Sequence, residues 1–124
     1  MRILLDHNAP KGLRTILTNH EVRTAYEMGW AELTNGRLLD NAEQVGFDAV
    51  ITGDQNVRYQ QRLAGRRLAL VVLSETSWPT LRAHRKLIID AIEGVREGVY
   101  MTVDLPRRRR RRRRSGRDQG PVDQ

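Results

Sequence analysis

The sequence predicts an α/β domain with a mainly parallel central sheet, on three observations. Short apolar runs alternate along the chain with segments of helical periodicity. One of those runs, residues 68–73, is apolar at every position, as in a strand covered on both faces. Composition then changes abruptly at Pro106, where eight consecutive arginines follow. Residues 1–106 therefore read as one compact domain, a length that can bury a core but leaves little room for a second.

The elements follow in order. Arg2 to Leu5 reads as a short buried strand, broken by Asp6-His7-Asn8-Ala9-Pro10. Asn8 suits a helix N-cap and Pro10 a first helical turn, which predicts a helix over 10–18 with Leu13, Ile16 and Leu17 inward. Residues 21–25 form a second strand, with Val22 and Thr24 alternating with charge. Residues 26–33 read as a turn or a short helix. A helix capped by Thr34 or Asn35 then runs to a stop at Gly46, with Leu38, Leu39, Ala42 and Val45 on its apolar face. Residues 48–52 are a strand, 57–64 a helix stopped by Gly65, and 68–73 the strongest strand. The longest helix spans 79–96, with Leu81, Leu87, Ile88, Ala91, Ile92 and Val95 in its stripe, and 99–103 is a last strand.

Charge is distributed unevenly. The chain carries 22 Lys plus Arg against 15 Asp plus Glu, a net charge of +7. Nine arginines and two aspartates in residues 107–124 account for all of it, so the domain itself is neutral. The total is thus no argument for a basic nucleic-acid-binding fold. Like-charge repulsion predicts that 107–124 is a disordered Arg-rich tail. Such a tail is an electrostatic handle for RNA, with a log–log salt slope of roughly −5 to −6 on a single strand, or a drifted extension without a role. The absence of cysteine excludes disulfides, thiolate zinc sites and cysteine nucleophiles. No apolar run approaches the roughly 18–20 residues needed to span a bilayer, and Asp6 interrupts the N-terminal apolar run too early for a signal peptide. The expectation is a cytoplasmic protein with no membrane partner.

In open α/β sheets, ligands bind outside the carboxyl ends of the strands. Asp6 and Asp54 each stand just past such an end. On neighbouring strands they would converge, and two hard oxygen donors with open positions suit Mg²⁺ or Mn²⁺. Each is equally a turn former or an N-cap. The helix phase aims Asn35 toward the same crevice, whereas Asp40 and Glu43 point away to water. His7 reads as a surface histidine or a nitrogen ligand favouring Mn²⁺ or a later metal. Arg58, Tyr59 and Arg62 follow Asp54 closely, either as an RNA-binding face or as an ordinary polar one. Trp30 and Trp78 read as packing residues. No Walker A loop, dinucleotide fingerprint or Ser/His/Asp set occurs, and His20 and His84 lie in unrelated elements.

Leu4-Leu5-Asp6-x-Asn8-x-Pro10, Asn35-x-x-Leu38-Leu39 and Ile51-Thr52-x-Asp54-x-Asn56 together resemble a PIN-like domain. More narrowly, they are similar to the short prokaryotic PIN-like proteins that begin Leu-Leu-Asp-Glu-Asn-Leu-Pro. The likeness covers residues 1–75 by motif and 76–104 only by element order. It implies a three-layer α/β/α sandwich and a metal-dependent endoribonuclease acting on single-stranded RNA, often the toxin of a toxin–antitoxin pair. Asp6 and Asp54 would be catalytic metal ligands for Mg²⁺ or Mn²⁺, with Asn8, Asn35 and Asn56 as supporting polar residues. RNA, a cognate antitoxin and a second copy in a homodimer are the partners expected. The chain departs from the pattern at His7, Asn35 and Asn56, each of which removes a negative charge where an acid is common. The alternative is therefore a PIN-like fold with little or no catalysis, serving as a protein- or RNA-binding module.

Overall fold

The computed structural model describes residues 1–54 and 65–106, the side chain of Asn35 excepted. The predicted helix over 57–64, the residues Asn56, Arg58, Tyr59 and Arg62, and the Arg-rich tail lie outside the described residues.

Among the described residues, five strands form a single, wholly parallel sheet: β1 (Arg2–Leu5), β2 (Glu21–Thr24), β3 (Ala49–Thr52), β4 (Ala69–Leu73) and β5 (Tyr100–Val103). Their spatial order is β2-β1-β3-β4-β5. The chain thus leaves β1 for β2 on one side and returns to β3 on the other. The strand order reverses between β1 and β3, where open α/β sheets bind ligands. Register pairs Leu5 with Thr24 of β2 and with Ile51 of β3, so the ends of the three strands lie level.

Because side chains alternate along a strand, the sheet buries a core on each face. Ile3, Leu5, Ile51, Val71 and Leu73 pack with Leu13, Leu17, Leu81, Ile88 and Ile92 on one side. Leu4, Val50, Leu70 and Val72 pack with Leu38, Leu39, Ala42 and Phe47 on the other. Each fully buried aliphatic contributes roughly 1.5–3 kcal/mol. All five residues of β4 are buried, as its unbroken apolar run requires.

The helices differ from expectation in two places. The segment after Pro10 is a 3₁₀ helix, Lys11–Thr15, shorter than the α-helix expected over 10–18. Gly12 and Thr15 are poor α-helix formers, and Thr15 Oγ1 donates to the Gly12 carbonyl at 2.7 Å. Gly12 is also needed for contact: a Cβ there would lie 2.8 Å from the Trp78 ring, which packs on the core as a structural residue. Residues 26–33 are turns, the first of the two readings expected there. The long C-terminal helix is two, α2 (Trp78–Ala83) and α3 (Arg85–Glu93), divided at His84. Leu81, Ile88 and Ile92 keep the core stripe, but Leu87 is 44% exposed.

The helix α1 (Asn35–Val45) has the expected bounds, with Thr34 at its N-cap and Gly46 ending it at φ 99°, a conformation that favours glycine. Val45, expected on the apolar face, is exposed; the Arg2 guanidinium bonds its carbonyl at 2.8 Å and lies over the Phe47 ring. Trp30 packs edge-on against the same ring. No helix among the described residues is long and apolar enough to cross a membrane.

Candidate active site

The carboxyl ends of β1 and β3 carry the two predicted aspartates, and the sheet makes those strands neighbours. Asp6 extends the β1 ladder by one residue, its N–H donating to the Ile51 carbonyl at 3.0 Å. Its side chain is 1% exposed and faces converging donors. Thr52 Oγ1 donates to Asp6 Oδ2 at 3.0 Å, and the His7 N–H donates to Oδ1 at 2.7 Å. His7 Nδ1 lies 3.0 Å from the same Oδ1, while the imidazole remains about half exposed. A carboxylate buried this deeply is tolerable only where donors replace its water.

Thr52 is the link between the two aspartates. Its hydroxyl donates to Asp6 and accepts the Asp54 N–H at 3.0 Å, so one buried side chain ties the two strand-end loops together. The sequence motif contains Thr52, but sequence reasoning assigned it no role. The available signal was a hydroxyl at the end of an otherwise apolar buried strand.

A third loop closes on this rim. Gly53 has no room for a side chain: a Cβ would stand 2.2 Å from Thr76 Cγ2 and 3.1 Å from the Asn8 carbonyl oxygen. The loops after β1, β3 and β4 therefore meet at one glycine. Asn8 is exposed there and does not cap the 3₁₀ helix, whose N-cap position is Pro10. On the β4 loop, Glu75 Oε1 accepts the N–H groups of Thr76 and Ser77 at 3.1 and 3.2 Å. Asn35 is the first residue of α1.

Asp40 and Glu43 do not turn to this crevice. Both hold Arg66, and Glu43 also accepts the Arg67 N–H at 2.9 Å. Asp40 is exposed, as expected, whereas Glu43 is half-buried rather than facing water freely. Burial opposes the Arg66 charge, but its hydrogen bonds to Asp40 and Glu43 outweigh it and raise its pKa. His20 bridges the Met1 amine and Glu93, far from the rim in sequence and in role.

On the β2 side of Asp6 lies a cavity of about 590 Å³ that sequence reasoning did not anticipate. Asp6, His7, Lys11, Arg14, Tyr26 and Glu27 line it.

The donor chemistry at the rim suits a hard divalent cation. Mg²⁺ binds through one or two carboxylates and completes its shell with water and phosphate, and carboxylate ligands are themselves usually held by hydrogen bonds, as Asp6 is. Among the described residues, no three His, Asp or Glu side chains gather as a metal-binding group. Searched against family models, curated proteins and solved structures, the chain matches none.

Proposed function

We propose that this chain is a PIN-like domain of three-layer α/β/α architecture and a metal-dependent endoribonuclease cleaving single-stranded RNA, the toxin component of a toxin–antitoxin pair. One observation carries the reading: Asp6 and Asp54 stand at the ends of adjacent parallel strands, where the strand order reverses, joined through Thr52. The ordered motif segments around Asp6, Asn35 and Asp54 support the family and, through it, the substrate.

Asp6 and Asp54 would hold Mg²⁺ or Mn²⁺. When bound, such a cation neutralises phosphoryl charge and lowers the pKa of a coordinated water. The chain's own contribution is orientation. Thr52 and the His7 N–H fix the rotation of the Asp6 carboxylate, and Thr52 fixes the start of the Asp54 loop. RNA approaches from above the strand ends, where the rim is open to solvent through the cavity beside Asp6.

The test is cleavage of a labelled single-stranded RNA by the full chain in Mg²⁺ or Mn²⁺, with EDTA as control. Loss of several kcal/mol of transition-state stabilisation should make Asp6→Asn and Asp54→Asn roughly 100-fold slower or worse. Cleavage that persists unchanged in both variants refutes the reading. A second reading, a binding module without catalysis, is favoured by the lack of a third acid among the described residues. Calorimetry separates the two: RNA binding without Mn²⁺ binding at millimolar metal supports the module.

A further inference from the structure

The cavity between the carboxyl ends of β1 and β2 has a built wall and an unexplained aromatic residue. The wall is the turn after β2. Glu27 accepts the Thr24 N–H at 3.0 Å, its own N–H donates to Thr24 Oγ1 at 3.0 Å, and Arg14 of the 3₁₀ helix bonds its carboxylate. Gly29 closes the turn onto the Tyr26 carbonyl at φ 78°. This bracing holds the Tyr26 backbone in place, yet its side chain is left largely bare: the residue is 82% exposed, at the cavity edge. An immobilised backbone presenting a bare aromatic face is what a stacking platform needs.

Charge selects the kind of ligand. Both acids of the cavity are engaged, Glu27 by Arg14 and Thr24, and Asp6 by Thr52 and His7. Lys11 is exposed and has no acidic partner among the described residues. Lys11 therefore brings an ammonium without an acidic partner, among the described residues, to the cavity that Tyr26 edges. A volume of about 590 Å³ falls within the range of small-ligand sites, roughly 300–1,000 Å³.

We propose that this cavity is a nucleotide subsite, in which Tyr26 stacks on a base and Lys11 holds the adjoining phosphate. It positions the nucleotide next to the phosphate that Asp6 and Asp54 face, on the β2 side of the rim. The inference rests on the nuclease reading for the identity of that strand, but the binding itself does not require cleavage. Tyr26 and Lys11 are specificity and positioning residues and touch no reacting atom.

The experiment is ¹⁵N NMR of the full chain titrated with the 5′-phosphorylated uridine dinucleotide pUpU in EDTA, a site-resolved readout that separates the cavity from the Arg-rich tail. Saturable shifts are expected at the amides of Gly12, Tyr26 and Glu27. Removing the ring by Tyr26→Ala should weaken pUpU binding about tenfold or more, whereas Tyr26→Phe keeps it. Lys11→Ala should weaken it severalfold. Inorganic phosphate should shift Gly12 without moving Tyr26. The proposal is overturned if pUpU leaves these amides unmoved, if Tyr26→Ala binds as wild type, or if inorganic phosphate binds as tightly as pUpU. Failure here and failure of the nuclease reading are distinguishable. If Asp6→Asn abolishes cleavage while Tyr26→Ala leaves KM unchanged, only the subsite falls. If cleavage survives both aspartate substitutions while the cavity still responds to pUpU, only the nuclease reading falls.

Discussion

The acids at the amino ends of the strands and Asp6 at the carboxyl ends are held in opposite ways. At the amino ends of the strands, acids meet guanidinium groups near the surface: Asp40 and Glu43 share Arg66, and Glu97 pairs with Arg67. Asp48 there accepts the Arg2 N–H at 2.7 Å. At the carboxyl ends, Asp6 is withdrawn from solvent and held by a hydroxyl and a peptide N–H, with the His7 imidazole beside it. Exposed ion pairs typically contribute up to about 1 kcal/mol and make few demands on geometry. A buried carboxylate is costly without placed donors, so a fold that retains one has been built around it. The contrast separates acids that solvate the domain from the acid that the proposed chemistry would use.

The largest expected effect tests that contrast directly. Asp6→Asn should remove RNA cleavage, whereas Asp40→Asn, at the opposite end, should leave the rate within twofold or so of wild type. Equal losses in both variants, measured on the same labelled RNA, would show that the two ends do not differ in the way proposed.

Next in size is Thr52→Val, which keeps the shape of the side chain and removes the hydroxyl. Asp6 Oδ2 loses a donor and the Asp54 N–H loses its acceptor, in a wholly buried position. Stability should fall by about 1.5–3 kcal/mol, the range for hydrogen bonds to charged groups. Cleavage should fall further than stability explains, because the Asp6 carboxylate is no longer held in one rotation. Thr52→Ser should restore most of both. Urea denaturation and initial rates on the three proteins give the comparison.

Thr52 also marks the border of what the residues reveal before folding. The strands are legible as short apolar runs broken by polar segments or, in β2, as Val22 and Thr24 alternating with charge, and Asp6 and Asp54 are legible as the residues just past two of them. That their strands are neighbours is a pairing across 46 residues, and nothing local in Ala49-Val50-Ile51-Thr52 encodes it. The same non-locality hides the cavity, which combines the loops after β1 and β2 with the 3₁₀ helix. The break at His84 is illegible for another reason. Leu81-Arg82-Ala83-His84-Arg85-Lys86-Leu87 contains no Pro or Gly, so propensity alone predicts continuity. Val45 and Leu87 fit a helical stripe in phase, but only packing decides where that stripe ends.

Gly53 and Gly94 offer a smaller contrast between the rim and the distal part of the chain. A Cβ on Gly53 would overlap Thr76 and crowd the Asn8 carbonyl, whereas one on Gly94 meets nothing nearer than 3.7 Å. Gly53→Ala should cost about 1–3 kcal/mol, as overpacking does, and should reduce cleavage by spreading the three loops. Gly94→Ala should be within about 0.5 kcal/mol of wild type. Thermal denaturation of both variants decides whether the rim is the tighter of the two sites.

The smallest effect concerns the turn that carries Tyr26. The Glu27 carboxyl is held below its ordinary value of 4.5, first by the hydrogen bond from the Thr24 N–H and then by that from Arg14. A carboxyl whose pKa is lower in the folded chain binds protons more readily when unfolded. Its contribution to stability is therefore complete above pH 4.5 and disappears as pH falls through the folded value. Denaturation midpoints measured from pH 7 down to about 3 should drop more steeply for wild type than for Glu27→Gln, which has no such proton to gain. The difference should be modest, because Glu27 is solvent-exposed and its ion pair with Arg14 is screened. In the same samples, pUpU binding should weaken over that acidic range in wild type as the turn loosens around Tyr26. Parallel curves for the two proteins, with pUpU binding unchanged, would mean that Glu27 does not brace the turn.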